Sequence, residues 1–415
     1  MGKIAQFGAL LLSATILLAG NGLQTTLLPL RTEAEAFSAL SIGIMGSSYF
    51  VGFVAGCLTA ANLMRRVGHI RVFTAMAAIA SVIPLSHILT LQEWSWWLLR
   101  AGTGYCIASL FLVIESWLNE RSNNAVRGTV FSIYTSLTFI AIITGQVLLS
   151  FHDPTGFAPF VLTSIIVSLA AVPVALNAIV APSPPPRGRL RPLKLMRLSP
   201  AGATGCLTAG LVSGALWSLA PVAASNAGLD ARGVAIFIGV TVCGGALSQW
   251  PFGRLSDRVD RRAVIAAAAG LSATAGILLF LATQHWGAAV LPLAFAFGAF
   301  TFPIYGLSVA HANDLIFKES FVEVSGGLLF INGAGAVLGP LAGGLAMRLA
   351  GPGALFAAIA VACFSPTVFV LIRMRTIARP AEMHRADSVA AVDAGITAPV
   401  NFDPRNEAKR TRAHH

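Results

Sequence analysis

An all-α membrane protein of twelve spans, arranged as two six-helix halves, is the architecture this sequence predicts, and three observations carry it. Hydrophobic residues make up 56% of the 415 residues and charged residues only 11%. A soluble domain carries about 25% charge, so the polar residues here cannot coat a water-soluble body. The apolar residues come in continuous blocks of roughly 20, the length a helix needs to cross about 30 Å of hydrocarbon. A closed β-barrel would alternate instead. All but four of the 28 Lys and Arg residues fall in segments that one topology puts on a single side.

The predicted spans are 6–30, 39–62, 71–91, 96–118, 129–151 and 159–180, then 200–225, 232–252, 263–283, 288–311, 322–347 and 352–373. The first block follows Lys3 in the manner of a signal peptide, but is read as a retained helix. Short connections make successive helices antiparallel neighbours, and an even number of spans puts both termini on one side. The positive-inside bias makes that side the cytoplasm. Arg31, Arg232 and Arg348 fall opposite, and Arg100 falls inside a span. The net charge of +11 therefore serves topology and anionic lipid, and no nucleic-acid partner is expected.

Residues 181–199 change composition. Ser183-Pro184-Pro185-Pro186 blocks a continuing helix, and Arg187, Arg189, Arg191, Lys194 and Arg197 make the stretch basic. It reads as a cytoplasmic linker between an N-terminal half, 1–180, and a C-terminal half, 200–375. The tail, 376–415, loses its hydrophobicity and is expected to be disordered.

The halves repeat one another. Met64-Arg65-Arg66-Val67-Gly68 moved by 192 residues falls on Ser256-Asp257-Arg258-Val259-Asp260, and the same shift lays Gly52 on Gly244. Paired six-helix halves are a transporter architecture, with the binding site near the midplane between them.

At these residues the sequence resembles the major facilitator superfamily. The stretch from Gly253 to Arg262 is similar to that family's loop motif G-x-L-x-D-R-x-G-R-R, with Asp260 in place of its second glycine. Arg100 and Gly104 resemble its R-x-x-x-G signature. The run from Gly335 to Gly344 has the form GxxxGPxxGG, which in antiporters of the family belongs to span 5 and here sits in span 11. Within the superfamily the chain most resembles the YcaD-like group, through Ser47-Ser48-Tyr49-Phe50, Val113-Ile114-Glu115-Ser116, Gln249-Trp250-Pro251-Phe252-Gly253-Arg254 and Leu338-Gly339-Pro340.

Several side chains stand out against this apolar background. Gly52 and Gly56 in span 2, and Gly335, Gly339 and Gly343 in span 11, recur every four residues and form small faces that let helices approach closely. In the resembled fold spans 2 and 11 meet between the halves, so these faces are expected to pack against one another, or else to pack helices elsewhere in the bundle. Charges inside spans are expensive and usually functional. Glu115 and Arg100 lie on one side of span 4, with an angular offset of about 60° but a separation of about 22 Å. In the resembled fold span 4 lines the central cavity. Glu115 reads as a site for a proton or a cationic group, or as an interfacial anchor. Arg100 reads as snorkelling to the periplasmic surface or as serving the cavity. Asn21 and Gln24 share a face of span 1. With Trp217 in span 7 and Tyr305 in span 10 they would line the same cavity, or else pack helices together. His311 reads as a solvated helix end.

The resemblance implies a latch at the cytoplasmic surface, in which Asp257, followed by Arg258, would face the start of span 5 near Arg127 and Thr129. The first half departs from that pattern, with Arg65 in the aspartate's place; Arg65 or Arg66 would pair with Glu319 or Glu323 at the start of span 11, or Arg65 would point to lipid phosphates. The five cysteines lie in apolar segments without metal spacing. No P-loop, HExxH or GxSxG appears, so neither a catalytic residue, a cofactor nor a metal site is expected. The resemblance implies a secondary transporter of a small organic solute working by alternating access. It is expected to act as a monomer in the bilayer, with or without protons. The alternatives are a proton-antiport drug or metabolite efflux pump and a non-transporting membrane sensor.

Overall fold

The structure is a computed structural model and describes residues 7–122, 124–176, 196–285, 287–314 and 321–376. Side chains are described for these except 120–121, 124–128, 321–325 and 375–376. Most of the linker and the tail lie outside the described residues. Among the described residues, twelve segments are long and apolar enough to cross a membrane. Spans 1 to 6 are Gly8–Ala34, Ala39–Val67, His69–Leu89, Glu93–Asn119, Thr129–Leu149 and Ala158–Ala175. Spans 7 to 12 are Pro200–Asn226, Ala231–Arg258, Arg261–His285, Gly287–Asp314, Gly326–Ala350 and Ala354–Met374. The chain is a multi-pass membrane protein.

Several helices outrun their apolar stretches. Span 2 runs on through Arg65 and Arg66, and span 8 through Arg254 to Arg258. Once a helix is nucleated each further residue adds a backbone bond, so the helix persists into the polar layer. Span 10 breaks into Val290–Thr301 and Pro303–Asp314, because Pro303 has no N–H to donate. The end of the bundle carrying Arg65 and Arg254 is called the basic end below, and the end carrying the 34–39 and 226–231 turns the far end.

The repeat seen in the sequence is physical. Ser38 caps span 2 by accepting from Ser41 N at 3.1 Å, and Asp230, 192 residues on, caps span 8 by accepting from Gly233 N at 2.8 Å. Pro29 and Pro221 sit inside spans 1 and 7 at the same spacing. The backbone contacts repeat as well. Spans 2 and 4 touch at Gly52 and Gly104, and spans 8 and 10 at Gly244 and Gly298; a Cβ on any of the four would overlap a carbonyl oxygen of the neighbouring helix. Gly22 and Gly145 join spans 1 and 5 as Gly214 and Gly339 join spans 7 and 11. Span 11 is thus the repeat partner of span 5, which accounts for its glycine-rich motif. Gly68 turns the chain at φ +90° before span 3. Its counterpart Asp260 instead accepts from Arg262 N at 2.9 Å, a helix cap in place of a glycine turn.

This geometry corrects one expectation. Gly52 and Gly56 face span 4, at Ala101, Tyr105 and Ala108, and Gly335 and Gly339 face span 7, at Leu207 and Leu211. Gly343 meets Leu219 of span 7 and Leu355 of span 12. Spans 2 and 11 do meet, but through other residues. Four-residue spacing makes a small face without saying which neighbour it presses on, and here each glycine face binds a half together internally.

Between the halves, contact is concentrated toward the far end. A Cβ on Gly43 would lie 2.5 Å from Pro340 O, and one on Gly344 2.7 Å from Ala39 O. Ser47 Oγ donates to Val337 O at 2.7 Å, and Asn226 at the end of span 7 donates to Glu33 at the end of span 1. Toward the basic end the same two spans part around a groove lined by Phe53, Val54, Cys57 and Leu58 on one side and Gly326, Leu329 and Phe330 on the other. Spans 1 and 7 are the most enclosed of the twelve, so the molecular centre lies between them.

Candidate functional site

A small cavity sits at that centre. It is lined by Asn21, Gly22 and Thr25 of span 1, Tyr49 and Phe50 of span 2, Arg100 of span 4, Ile142 of span 5, and Trp217 and Ser218 of span 7. Asn21 is the midpoint of Gly8–Ala34, so the cavity lies near the middle of the spans.

The helix contacts place its side chains. Gly104 brings span 4 against the Tyr49 backbone, and one turn earlier the Arg100 guanidinium lies 4.4 Å from the centroid of the Tyr49 ring. The R-x-x-x-G spacing therefore has a local meaning, because the glycine admits the tyrosine and the arginine covers it. Such cation–π contact contributes about 0.5–2 kcal/mol. Gly46 presses on Ser218 from span 2, and Trp217 packs edge-on to Phe302 at 6.2 Å.

Arg100 is 4% exposed, so snorkelling to the surface is ruled out as its reason for being there. Asn21 Oδ1, Gln24 Nε2, Arg100 Nη1 and Trp217 Nε1 are all buried without a hydrogen-bond partner. Buried polar atoms are nearly always paired, and leaving one unpaired costs about 1–3 kcal/mol, more for a charged group. Four such atoms on neighbouring spans mark a place that holds water or a polar solute.

Of the residues singled out in the sequence, Asn21, Arg100 and Trp217 line this cavity, and Gln24 lies buried one turn along span 1. Tyr305 does not line it; it is buried in an apolar cluster with Cys206, Ala209 and Ile265, because the rotation of span 10 turns it into the C-terminal half. Glu115 also lies elsewhere. It is 4% exposed inside the N-terminal half, where Tyr134 Oη donates to its Oε1 at a long 3.5 Å. It stands within electrostatic reach of Cys57, which lines the groove between spans 2 and 11. Tyr49, Thr25 and Ser218 had no site role in the sequence. The only signal was Tyr49 in the resembling stretch, because uncharged side chains in a span look like ordinary packing.

At the basic end Arg261 bridges Asp314 at 2.6 Å and Asp257 at 3.2 Å, and also donates to Ser256 at 2.8 Å. His311 is buried beside this cluster, not at a solvated end. Arg65 donates to Asn62 within its own helix, and Arg258 is exposed. The side chains of Arg127 and Glu323, and residue Glu319, lie outside the described residues, so both latch expectations do too. Among the described residues no three His, Cys, Asp or Glu side chains converge as a metal site.

The profile described as Major Facilitator Superfamily matches residues 10–207 and again 202–410. The chain is similar to an uncharacterized MFS-type transporter, YcaD of Escherichia fergusonii, at 26% identity over 376 residues, 89% of this chain and 97% of that protein. In fold it is similar to a mutant of the nucleoside transporter NupG, with TM-score 0.74 at 12% identity, over 89% of this chain and 100% of that one. It is also similar to the E. coli fucose:proton symporter FucP, with TM-score 0.55 at 15% identity, over 90% of this chain and 99% of that one. A profile matched once by each half, over twelve spans that repeat in two sets of six, means that the chain belongs to the Major Facilitator Superfamily.

Proposed function

We propose that the chain is a secondary transporter that carries a small organic solute by alternating access, with the cavity at Arg100 as its binding site. The observation that carries this reading is the cavity itself. It lies between the halves at mid-span, is closed over at the far end by spans 2 and 11, and is edged by unpaired buried polar atoms. Each half is bound internally by backbone-to-backbone glycine contacts between several helix pairs, while toward the basic end spans 2 and 11 part around a groove, which suits rigid-body rocking. Placing the basic end in the cytoplasm of a bacterial inner membrane, with both termini there, follows the positive-inside rule and makes this an inward-open form. The solutes named for NupG and FucP support a small organic cargo without choosing one.

Proton coupling at Glu115 is the second part of the reading. A carboxylate buried beside Tyr134, close behind a groove that parts the halves, is placed to exchange a proton as the groove opens and closes. The transporter acts as a monomer in the bilayer. The test is a thermal-shift screen of metabolites on purified protein, since a ligand of the native state raises its apparent stability. Uptake of each hit is then measured in proteoliposomes. Hits that bind and are never moved would replace transport with sensing.

A further inference from the structure

The unpaired atoms around the cavity are not a neutral mixture. Arg100 Nη1, Trp217 Nε1 and Gln24 Nε2 are donors, Asn21 Oδ1 and, beside Gly22, Gln146 Oε1 are acceptors, and Arg100 is the one charged group among them. Among the described residues no carboxylate lies within ion-pair distance of Arg100, and none lines the cavity. A cation held at mid-span without a counter-charge is costly, and Tyr49 offers it only a ring face. The pocket is therefore short of one negative charge.

The second observation is what adjoins it. Phe50 borders both this cavity and the groove between spans 2 and 11. Beyond Phe50 the groove runs along Phe53, Val54, Cys57, Leu329 and Phe330. From Phe50 to Cys57 is about 10 Å along the helix. A polar chamber and an apolar trough thus share one wall.

We propose that the solute is an amphipathic organic monoanion, its carboxylate or equivalent acid held at Arg100 and its apolar body lying along Phe50 into the groove. This rests on the transporter reading for its purpose and not for its binding test. The full chain in lipid nanodiscs is titrated with radiolabelled decanoate, and decanol, decyltrimethylammonium and butyrate are run as competitors. Decanoate should bind at least about tenfold tighter than the neutral and cationic chains, the difference a charge-assisted hydrogen bond makes. Butyrate, having the acid without the body, should compete as weakly. Arg100→Gln should remove the preference for decanoate over decanol while leaving decanol unchanged, and Arg100→Lys should restore part of it. Decanol or decyltrimethylammonium competing as well as decanoate overturns the proposal, as does no binding by any probe. Should Arg100→Gln fail to fold, the head-group series on the unaltered protein decides alone. A neutral or cationic solute that is moved in proteoliposomes while decanoate does not bind would sink the anion and leave the transporter standing. Decanoate bound with nothing moved would do the reverse.

Discussion

Gly104 offers the sharpest test of how the halves are held rigid. In Gly104→Ala the new methyl would meet the Tyr49 carbonyl oxygen and the Phe53 amide nitrogen, both closer than 3.0 Å. Neither is the end of a side chain that could turn aside, so two helices must separate. Overpacking costs about 1–3 kcal/mol, and a backbone obstacle puts this case near the top, ~3 kcal/mol. Alanine returns about 1 kcal/mol of helix propensity, leaving a net loss of about 2 kcal/mol. Gly102, two residues away, is the control, since its Cβ would have only Ile83 Cδ1 nearby, at 3.4 Å. Gly102→Ala should therefore be neutral or stabilising by up to about 1 kcal/mol. Equilibrium unfolding in mixed micelles reads both, and Gly298→Ala in the second half should match Gly104→Ala. Ligand binding separates the two, because only Gly104 sets the Tyr49–Arg100 stack. If Gly104→Ala is as stable as Gly102→Ala, the close-contact account of the bundle is wrong.

Other outcomes can be stated for the rest of the molecule. Ser47→Ala removes the hydroxyl that bonds Val337 O across the halves, worth about 0.5–1.5 kcal/mol; cysteine-labelling of Ser218→Cys from the far end should accelerate several-fold, and an unchanged rate would mean that contact does not hold the far end shut. Glu115→Gln should keep the protein folded and flatten the pH dependence of transport in proteoliposomes, whereas an unaltered profile would reduce Glu115 to a packing residue. Asp153, in the exposed far-end turn, accepts from Thr155 N and Oγ1 at 2.9 and 2.8 Å, which holds its carboxyl below the usual 3.8. A lowered native value means its contribution is present above the usual aspartate range and is lost as pH falls through the lowered one. Limited proteolysis of the 150–157 turn should accordingly rise only in that acid window and lose the dependence in Asp153→Asn.

Most of the fold was legible because a membrane punishes exceptions: twenty apolar residues can do little else than span. Charge alone gave away the helix ends poorly, since spans 2 and 8 continue through their arginines. The lining of the central cavity was legible where a polar or bulky side chain interrupts an apolar span, as at Asn21, Arg100 and Trp217. It was illegible where the residue is ordinary and only its direction matters. Tyr305 and Tyr49 are both tyrosines within apolar spans, yet one faces a core and the other a cavity, and that depends on helix rotation set by neighbours far along the chain. The glycine faces failed for the same reason, their spacing being right and their partner wrong.

The two halves also differ where a strict repeat would make them alike. In the register that lays Gly104 on Gly298, Arg100 falls on Ala294, a residue buried in the second half's core. The joints between helices recur in both halves, while the buried cation at this position appears in one half alone. A chimera made of two second halves should assemble as a bundle and have nothing at its centre to hold a charge.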